Sequence, residues 1–208
     1  MTHLKRTKAI RGLPIKRKGT KYIARASNHV KDGIPVVIAV RDIIKLARNA
    51  KEVKKMVNEG LIKINGKKVK DIKESIKLFN ILEADKKYVL TVLPTGRFSF
   101  EETNSDSRLC GVSNKKMLRN KKIQLNLHDG TNLISKEKIN VGDSIDIDFS
   151  GKIKKIISFS KGKEAIITSG RSIGLRGKIE DIFDSKVKIK LKEVDKGVVL
   201  DKGHVIVI

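Results

Sequence analysis

The chain has 208 residues, and its 47 lysines and arginines outnumber its 23 aspartates and glutamates, so the net charge is +24 at pH 7. Such an excess disfavours a protein whose surface charges simply pair with one another, and it predicts an anionic partner such as a nucleic-acid backbone. The single cysteine, Cys110, excludes an internal disulfide and indicates a reducing compartment.

The first predicted element is a basic N-terminal arm, residues 1 to 33. Residues 1 to 31 contain ten basic residues and no acidic one. Glycine and proline interrupt the segment, and it has neither a helical nor a strand period. We therefore expect an extended arm that becomes ordered on its partner, with a disordered solubilising tail as the alternative. The arm residues predicted to contact RNA are Lys5, Arg6, Lys8, Arg11, Lys16, Arg17, Lys18, Lys21 and Arg25.

The charge pattern of the arm does not fit a targeting segment or a membrane anchor. A signal peptide needs an apolar stretch of about 7–15 residues soon after its positive end, whereas the nearest apolar run spans residues 34 to 40. That run is also far short of the ~20 residues that cross a bilayer. Organelle-targeting peptides are rich in arginine and serine, but the arm has more lysine than arginine and a single serine, Ser27.

The next predicted element, residues 34 to 82, is a compact module of two helices and a β-hairpin. Apolar residues at helical spacing predict its first helix: Val40, Ile43, Ile44 and Ala47. Asn49 and Glu52 have the spacing of a capping box at the start of a second helix, which Gly60 ends. Asn65-Gly66, between two short alternating runs, predicts a tight hairpin.

This order of elements resembles the S4-type RNA-binding module. The residues that carry the resemblance are Arg41-Asp42, the second-helix run that ends at Gly60, and the run from Lys63 to Lys67. Ala50 departs from the family, which usually has arginine there. We expect the neighbouring Lys51 to take the place of that arginine. A merely solvated helix face is the alternative. The resemblance implies RNA contacts from Arg41, Lys45, Arg48, Lys51, Lys54, Lys55, Lys67 and Lys68.

From residue 78 onward the sequence predicts almost only strands, so the expected fold class is α+β and mostly β. Turn signals separate short alternating runs, a spacing that is typical of small barrels. We expect a β-rich central domain over residues 83 to 160, in which the acidic stretch 101 to 107 forms a solvated loop. The strand-like runs are residues 77–82, 87–93, 97–100, 121–127, 143–149, 152–159, 163–168, 186–194 and 204–208.

The last predicted element, residues 161 to 208, contains a glycine-rich stretch at 168 to 179. It is not a phosphate-binding loop of the Walker type, because Lys178 is followed by isoleucine rather than serine or threonine. The spacing of Gly170, Gly174 and Gly177 resembles the KOW motif, a strand–loop–strand unit of small barrels in ribosomal proteins. The resemblance implies RNA contacts from Arg171, Gly174, Arg176 and Lys178. A glycine turn with incidental charges is the alternative.

The sequence carries no recognisable catalytic or metal-binding pattern. The four histidines lack metal-ligand spacing, and one cysteine cannot build a zinc site. We therefore expect no enzyme, no metal and no cofactor. Aromatic residues make up 4% of the chain, with no tryptophan, so we expect contacts to phosphate and to RNA shape rather than extensive base stacking.

The whole order of arm, S4-type module, β-rich middle and KOW-type barrel resembles the archaeal and eukaryotic small-subunit ribosomal protein family S4e. Its most specific residues are His3–Arg6, Ile34-Pro35 and the run from Val141 to Asp148. Ile10 and Leu13 depart from the family's usual proline and tryptophan, which leaves the path of the arm less constrained.

The resemblance implies a structural, cytoplasmic component of the small ribosomal subunit. Its expected partners are small-subunit ribosomal RNA and neighbouring ribosomal proteins, with no membrane, no small-molecule substrate and no homo-oligomer. The sequence ends without the C-terminal segment of eukaryotic members, which predicts an archaeal type. Two alternatives stay open: an RNA-modifying enzyme that carries an S4-type module, and an RNA-binding factor outside the ribosome.

Overall fold

A computed structural model describes residues 3–10, 12–30, 32–119, 122–191 and 197–208. The predicted class is confirmed, because the described residues are mostly β with few helices. The chain divides into two compact units, Met1–Ser105 and Asp106–Ile208, which are described in turn. The four-part division at residues 33, 82 and 160 stays a prediction.

The first helix, α1, spans Val36–Ile38 and continues directly into a π-helical segment, Ala39–Ile43. It begins and ends earlier than the apolar spacing from Val40 to Ala47 predicts. Pro35 occupies its N-cap position, and every residue from 36 to 40 is buried. At the other end Lys45 adopts a left-handed φ of +66°, which is incompatible with further helix, so the predicted helix at 44–47 is wrong.

The second helix, α2, spans Ala50–Asn58 and has the predicted capping box. The Glu52 amide donates to Asn49 Oδ1 at 3.0 Å, and the Glu52 carboxylate accepts from the Arg48 amide at 2.7 Å. Val53 is fully buried, and Gly60 follows the helix with a φ of +72° that favours glycine. The sequence therefore predicted this helix and both of its ends.

The strands of the first unit are β1 Leu4–Lys5, β2 Tyr22–Ile23, β3 Ile34–Pro35, β4 Lys63–Ile64, β5 Lys67–Lys68, β6 Ser75–Ile76, β7 Ile81–Glu83, β8 Lys87–Val92 and β9 Phe98–Glu102. Five of them form a sheet in the order β5-β4-β7-β8-β9, so β5 and β9 are its edges. Asn65 and Gly66 both have positive φ, as the predicted hairpin requires. The strand predicted at 77–82 is interrupted, because Phe79 has a φ of +62°.

Residues 3–10 and 12–30 contain more regular structure than we predicted for the arm. β1 pairs with β2 in antiparallel register, Leu4 opposite Ile23. The Phe98 amide donates to the Gly12 carbonyl at 2.8 Å, and Leu13 is 8% exposed. Apolar anchors thus pack the described part of the arm against the rest of its own unit.

Within its described residues, the second unit forms two five-stranded antiparallel sheets, ordered β12-β11-β10-β13-β14 and β18-β17-β16-β15-β19. Their strands are β10 Ser107–Met117, β11 Ile123–Leu127, β12 Asn132–Ser135, β13 Ser144–Asp148, β14 Ile153–Ile157, β15 Glu164–Ile167, β16 Arg176–Ile182, β17 Lys186–Leu191, β18 Gly197–Asp201 and β19 Val205–Val207. Each sheet has its own cluster of buried Ile, Leu and Val side chains. Strands β10, β12 and β18 were not predicted.

Strand β10 organises the first of these sheets. Its first half, residues 107–111, pairs with β13. Its second half pairs with β11 from Val112 onward, with a bulge between Val112 and Asn114. It begins inside the predicted loop at 101–107, and β9 continues to Glu102, so only residues 103–106 lie between the two strands. The bulge breaks the inside–outside alternation that would reveal the strand in the sequence.

Cys110 lies in the core beneath this sheet. Burial raises the pKa of its thiol to about 12, and the nearby Asp129 carboxylate adds to the shift. The thiol is therefore protonated at neutral pH, and it contributes packing rather than reactivity.

Candidate nucleic-acid interface

The outer face of α2 carries three exposed lysines, Lys51, Lys54 and Lys55, while Val53 and Val57 anchor the opposite face in the core. Lys55 Nζ lies 3.8 Å from the Glu59 carboxylate. No carboxylate of the described residues forms a salt bridge with Lys51 or Lys54. This face therefore offers two ammonium groups that can neutralise an external anion.

The segment before α2 adds further positive charge. Lys45 and Arg48 are exposed, whereas Arg41 is half-buried. The Arg41 guanidinium donates to both oxygens of Asp42, at 2.7 and 2.9 Å, and this hydrogen bonding raises the pKa of Arg41. Part of its donor capacity is therefore already used within the chain.

The hairpin of β4 and β5 places Lys67 and Lys68 on an exposed sheet edge. Lys68 Nζ lies 3.3 Å from the position that a Cβ atom on Gly60 would occupy, just beyond the end of α2. A cation there is favourably placed toward the negative end of the helix dipole. Lys68 thus lies beside the C-terminal end of α2.

Arg6 differs from the other basic residues of the arm. Its guanidinium donates to the carbonyls of Lys16 and Thr20, at 2.6 and 2.7 Å, and to Thr20 Oγ1 at 2.9 Å. Gly19, with a φ of +145°, lets the backbone approach this guanidinium closely. Arg6 therefore closes the loop between β1 and β2.

The other predicted arm residues have different surroundings. Arg25 is half-buried and has a partner within the chain, and Arg11 lies outside the described residues. The exposed ones are Lys5, Lys8, Lys16, Arg17, Lys18 and Lys21.

The glycine-rich stretch connects β15 to β16. Gly170 and Gly174 have φ of +94° and +86°, in the left-handed region that favours glycine. Gly174 is buried and its amide donates to the Ile167 carbonyl at 2.8 Å, so it shapes the loop and does not face solvent. Arg171 and Arg176 are exposed, and so is Lys178, two residues along β16 from Arg176.

Sequence reasoning missed a basic hairpin formed by β10 and β11. No acidic residue occurs between Asp106 and Asp129, and this charge run was the signal that could have revealed it. Its exposed basic residues are Lys115, Lys116, Arg119 and Lys122.

The described residues show neither a metal-binding cluster nor a membrane-spanning helix. The described residues contain no group of three or more His, Cys, Asp or Glu side chains that could hold a metal ion. No helix in the described part of the chain is both long and apolar enough to cross a membrane.

Comparison with known proteins gives two family matches. Residues 42–79 match the S4 domain, and residues 84–153 match the ribosomal family S4e. The small ribosomal subunit protein eS4 of Methanocella arvoryzae is 32% identical, with 86% of this chain and 80% of the relative covered. The corresponding figures for eS4 of Methanococcus maripaludis strain C6 are 34%, 86% and 81%.

The fold matches a solved structure as well. The crystal structure of 30S ribosomal protein S4e from Thermoplasma acidophilum superposes with a TM-score of 0.72 at 26% sequence identity. The match covers 85% of this chain and 95% of that protein.

Proposed function

The chain belongs to the ribosomal protein family S4e and is a structural constituent of the small ribosomal subunit, and we propose that its surface lysines and arginines dock it on ribosomal RNA. The observation that carries the proposal is the lysine-rich face of α2, where Lys51 and Lys54 are exposed and form no salt bridge within the described residues. Neutralised phosphates release counterions, so many such contacts add up to tight, salt-sensitive binding.

We also propose the four-part organisation predicted from the sequence: an arm over 1–33, an S4-type module over 34–82, a central β domain over 83–160 and a KOW-type barrel over 161–208. The S4 match at residues 42–79 supports the second part. The strand–loop–strand unit of β15 and β16, inside a five-stranded antiparallel sheet, supports the fourth.

The predicted contacts are not equivalent in this proposal. We assign direct RNA contact to the exposed members of the predicted set. Arg6 and Gly174 act differently: each shapes a loop, which then presents neighbouring basic side chains. Phosphate contacts of this kind fix position and register and do not read the base sequence.

We propose that neighbouring ribosomal proteins are partners, that the chain has no catalytic role or small-molecule substrate, and that it does not form a homo-oligomer. The names of the relatives, small ribosomal subunit protein eS4, support the ribosomal partners.

Sedimentation of a cell lysate tests the proposal. At moderate salt the protein should sediment with small ribosomal subunits, and high salt should release it into the soluble fraction because salt weakens phosphate contacts. A protein that stays in the soluble fraction at moderate salt would contradict the ribosomal assignment.

A further inference from the structure

The first unit contains a cleft of about 630 Å³ whose apolar lining the RNA-docking proposal does not use. It lies between the arm segment that follows Arg6 and the helical segment of α1. Such a volume is within the usual range for a bound small molecule or a single nucleotide unit, roughly 300–1,000 Å³. Apolar residues that line it include Ile15, Ile23, Val37, Ile38 and Ile72.

The basic residues of the cleft give it a strong positive charge. Five basic side chains and one acidic side chain, Asp42, line it. Asp42 is already bonded to Arg41, so its negative charge is matched inside the wall. The basic residues are Arg6, Lys16, Lys18, Arg41 and Lys73.

The cleft is formed by bonds within the chain. Arg6 holds the loop that carries Lys16 and Thr20 by three hydrogen bonds, and Thr20 Oγ1 donates to the Tyr22 carbonyl at 2.9 Å. The Arg41–Asp42 pair fixes the opposite side. A ligand would therefore enter a site whose walls are already in place, which lowers the cost of binding.

A cleft lined by both apolar and basic side chains is complementary to a nucleotide, whose base has apolar faces and whose phosphate is anionic. Tyr22 lines the cleft and is 44% exposed, with the edge-on His3 ring 4.7 Å from its own, and aromatic rings stack on unpaired bases. We propose that this cleft receives one unpaired nucleotide of ribosomal RNA. The inference rests on the proposed RNA docking and names the structural feature recognised: a bulged or looped-out base beside a duplex.

A pair of matched RNAs tests the inference. One is a fully paired hairpin, and the other is the same hairpin with a single bulged, photoreactive thiouridine. The wild-type chain should bind the bulged RNA about tenfold more tightly, since one stacked and buried base contributes on this scale. Irradiation should crosslink the thiouridine to a peptide that contains residues 14–24, 37–42 or 72–73.

Two substitutions provide the controls. Tyr22→Leu should remove most of the preference for the bulged RNA while leaving the affinity for the paired hairpin unchanged, because it removes no charge. Phe183→Leu alters another exposed aromatic residue, which is 53% exposed in the second unit, and should keep the preference. Circular dichroism of both variants checks that they are folded, and the crosslink uses the unaltered chain.

The outcomes separate this inference from the docking proposal. Equal binding of both RNAs by the wild type, or crosslinking only to the second unit, overturns the inference and leaves RNA docking intact. Failure to bind either RNA at low salt overturns both.

Discussion

Replacement of Lys51 and Lys54 by glutamine tests the proposed role of α2 directly. Both side chains are exposed, and glutamine is as good a helix former as lysine, so the stability of the helix should be preserved. The buried Val53 and the cap at Asn49 are untouched. A change in RNA binding would therefore report the loss of two cationic contacts.

The expected magnitude follows from counterion release. Each phosphate contact contributes about 0.7–0.9 to the slope of log affinity against log salt, so the double variant should lower the slope by about 1.4–1.8. Affinity varies as salt concentration to the power of that slope, which gives roughly 25- to 60-fold weaker binding at about 0.1 M salt.

The assay is filter binding or fluorescence anisotropy with purified archaeal small-subunit ribosomal RNA over a salt series. A matched control replaces Lys86 and Lys161, which are already paired with Glu102 at 2.8 Å and Asp181 at 2.6 Å. The control also removes two positive charges but should change the slope of log affinity against log salt little. Equal slopes for the two double variants would refute the reasoning, because net charge alone would then determine affinity.

Three further predictions concern stability and reactivity. Asn49→Ala removes the cap of α2 and should lower the free energy of unfolding in urea by about 1 kcal/mol, whereas Asn49→Ser should retain most of it. Gly177→Ala would place a Cβ 2.7 Å from Ile189 Cγ2 and against the facing backbone, so urea unfolding of the second unit should show a loss of about 2 kcal/mol or more. Gly203→Ala, which meets nothing within 4 Å, should leave stability nearly unchanged. Cys110 should resist iodoacetamide in the native protein at mildly alkaline pH and react in urea; rapid native alkylation would contradict its raised pKa.

Elements stabilised by neighbouring residues could be predicted from the sequence. The cap of α2 depends on Asn49 and Glu52, three residues apart, and the hairpin depends on Asn65-Gly66. In both cases the interacting residues lie within a few positions of each other, so the local sequence alone determines the structure.

Elements fixed by distant partners could not be predicted in this way. The apolar run at 34–40, which contains α1, is compatible with several helix starts. The observed start follows β3, whose Ile34 and Pro35 pair with residues about forty positions later. The role of Arg6 depends on Lys16 and Thr20, which the fold brings beside it. Charge in a sequence identifies a basic surface, but only geometry separates cations that face solvent from those that hold the chain together.

Strand β5 has a consequence for the protein before it meets RNA. An edge strand presents unpaired backbone groups to which a second copy of the chain could add, and lysines are one means by which natural proteins prevent such pairing. The two residues of β5 are Lys67 and Lys68, and both are exposed. A second copy that aligned its own β5 with this edge would bring four ammonium groups together. The same two lysines that are proposed to meet phosphate would thus keep newly made chains apart until phosphate is there to neutralise them.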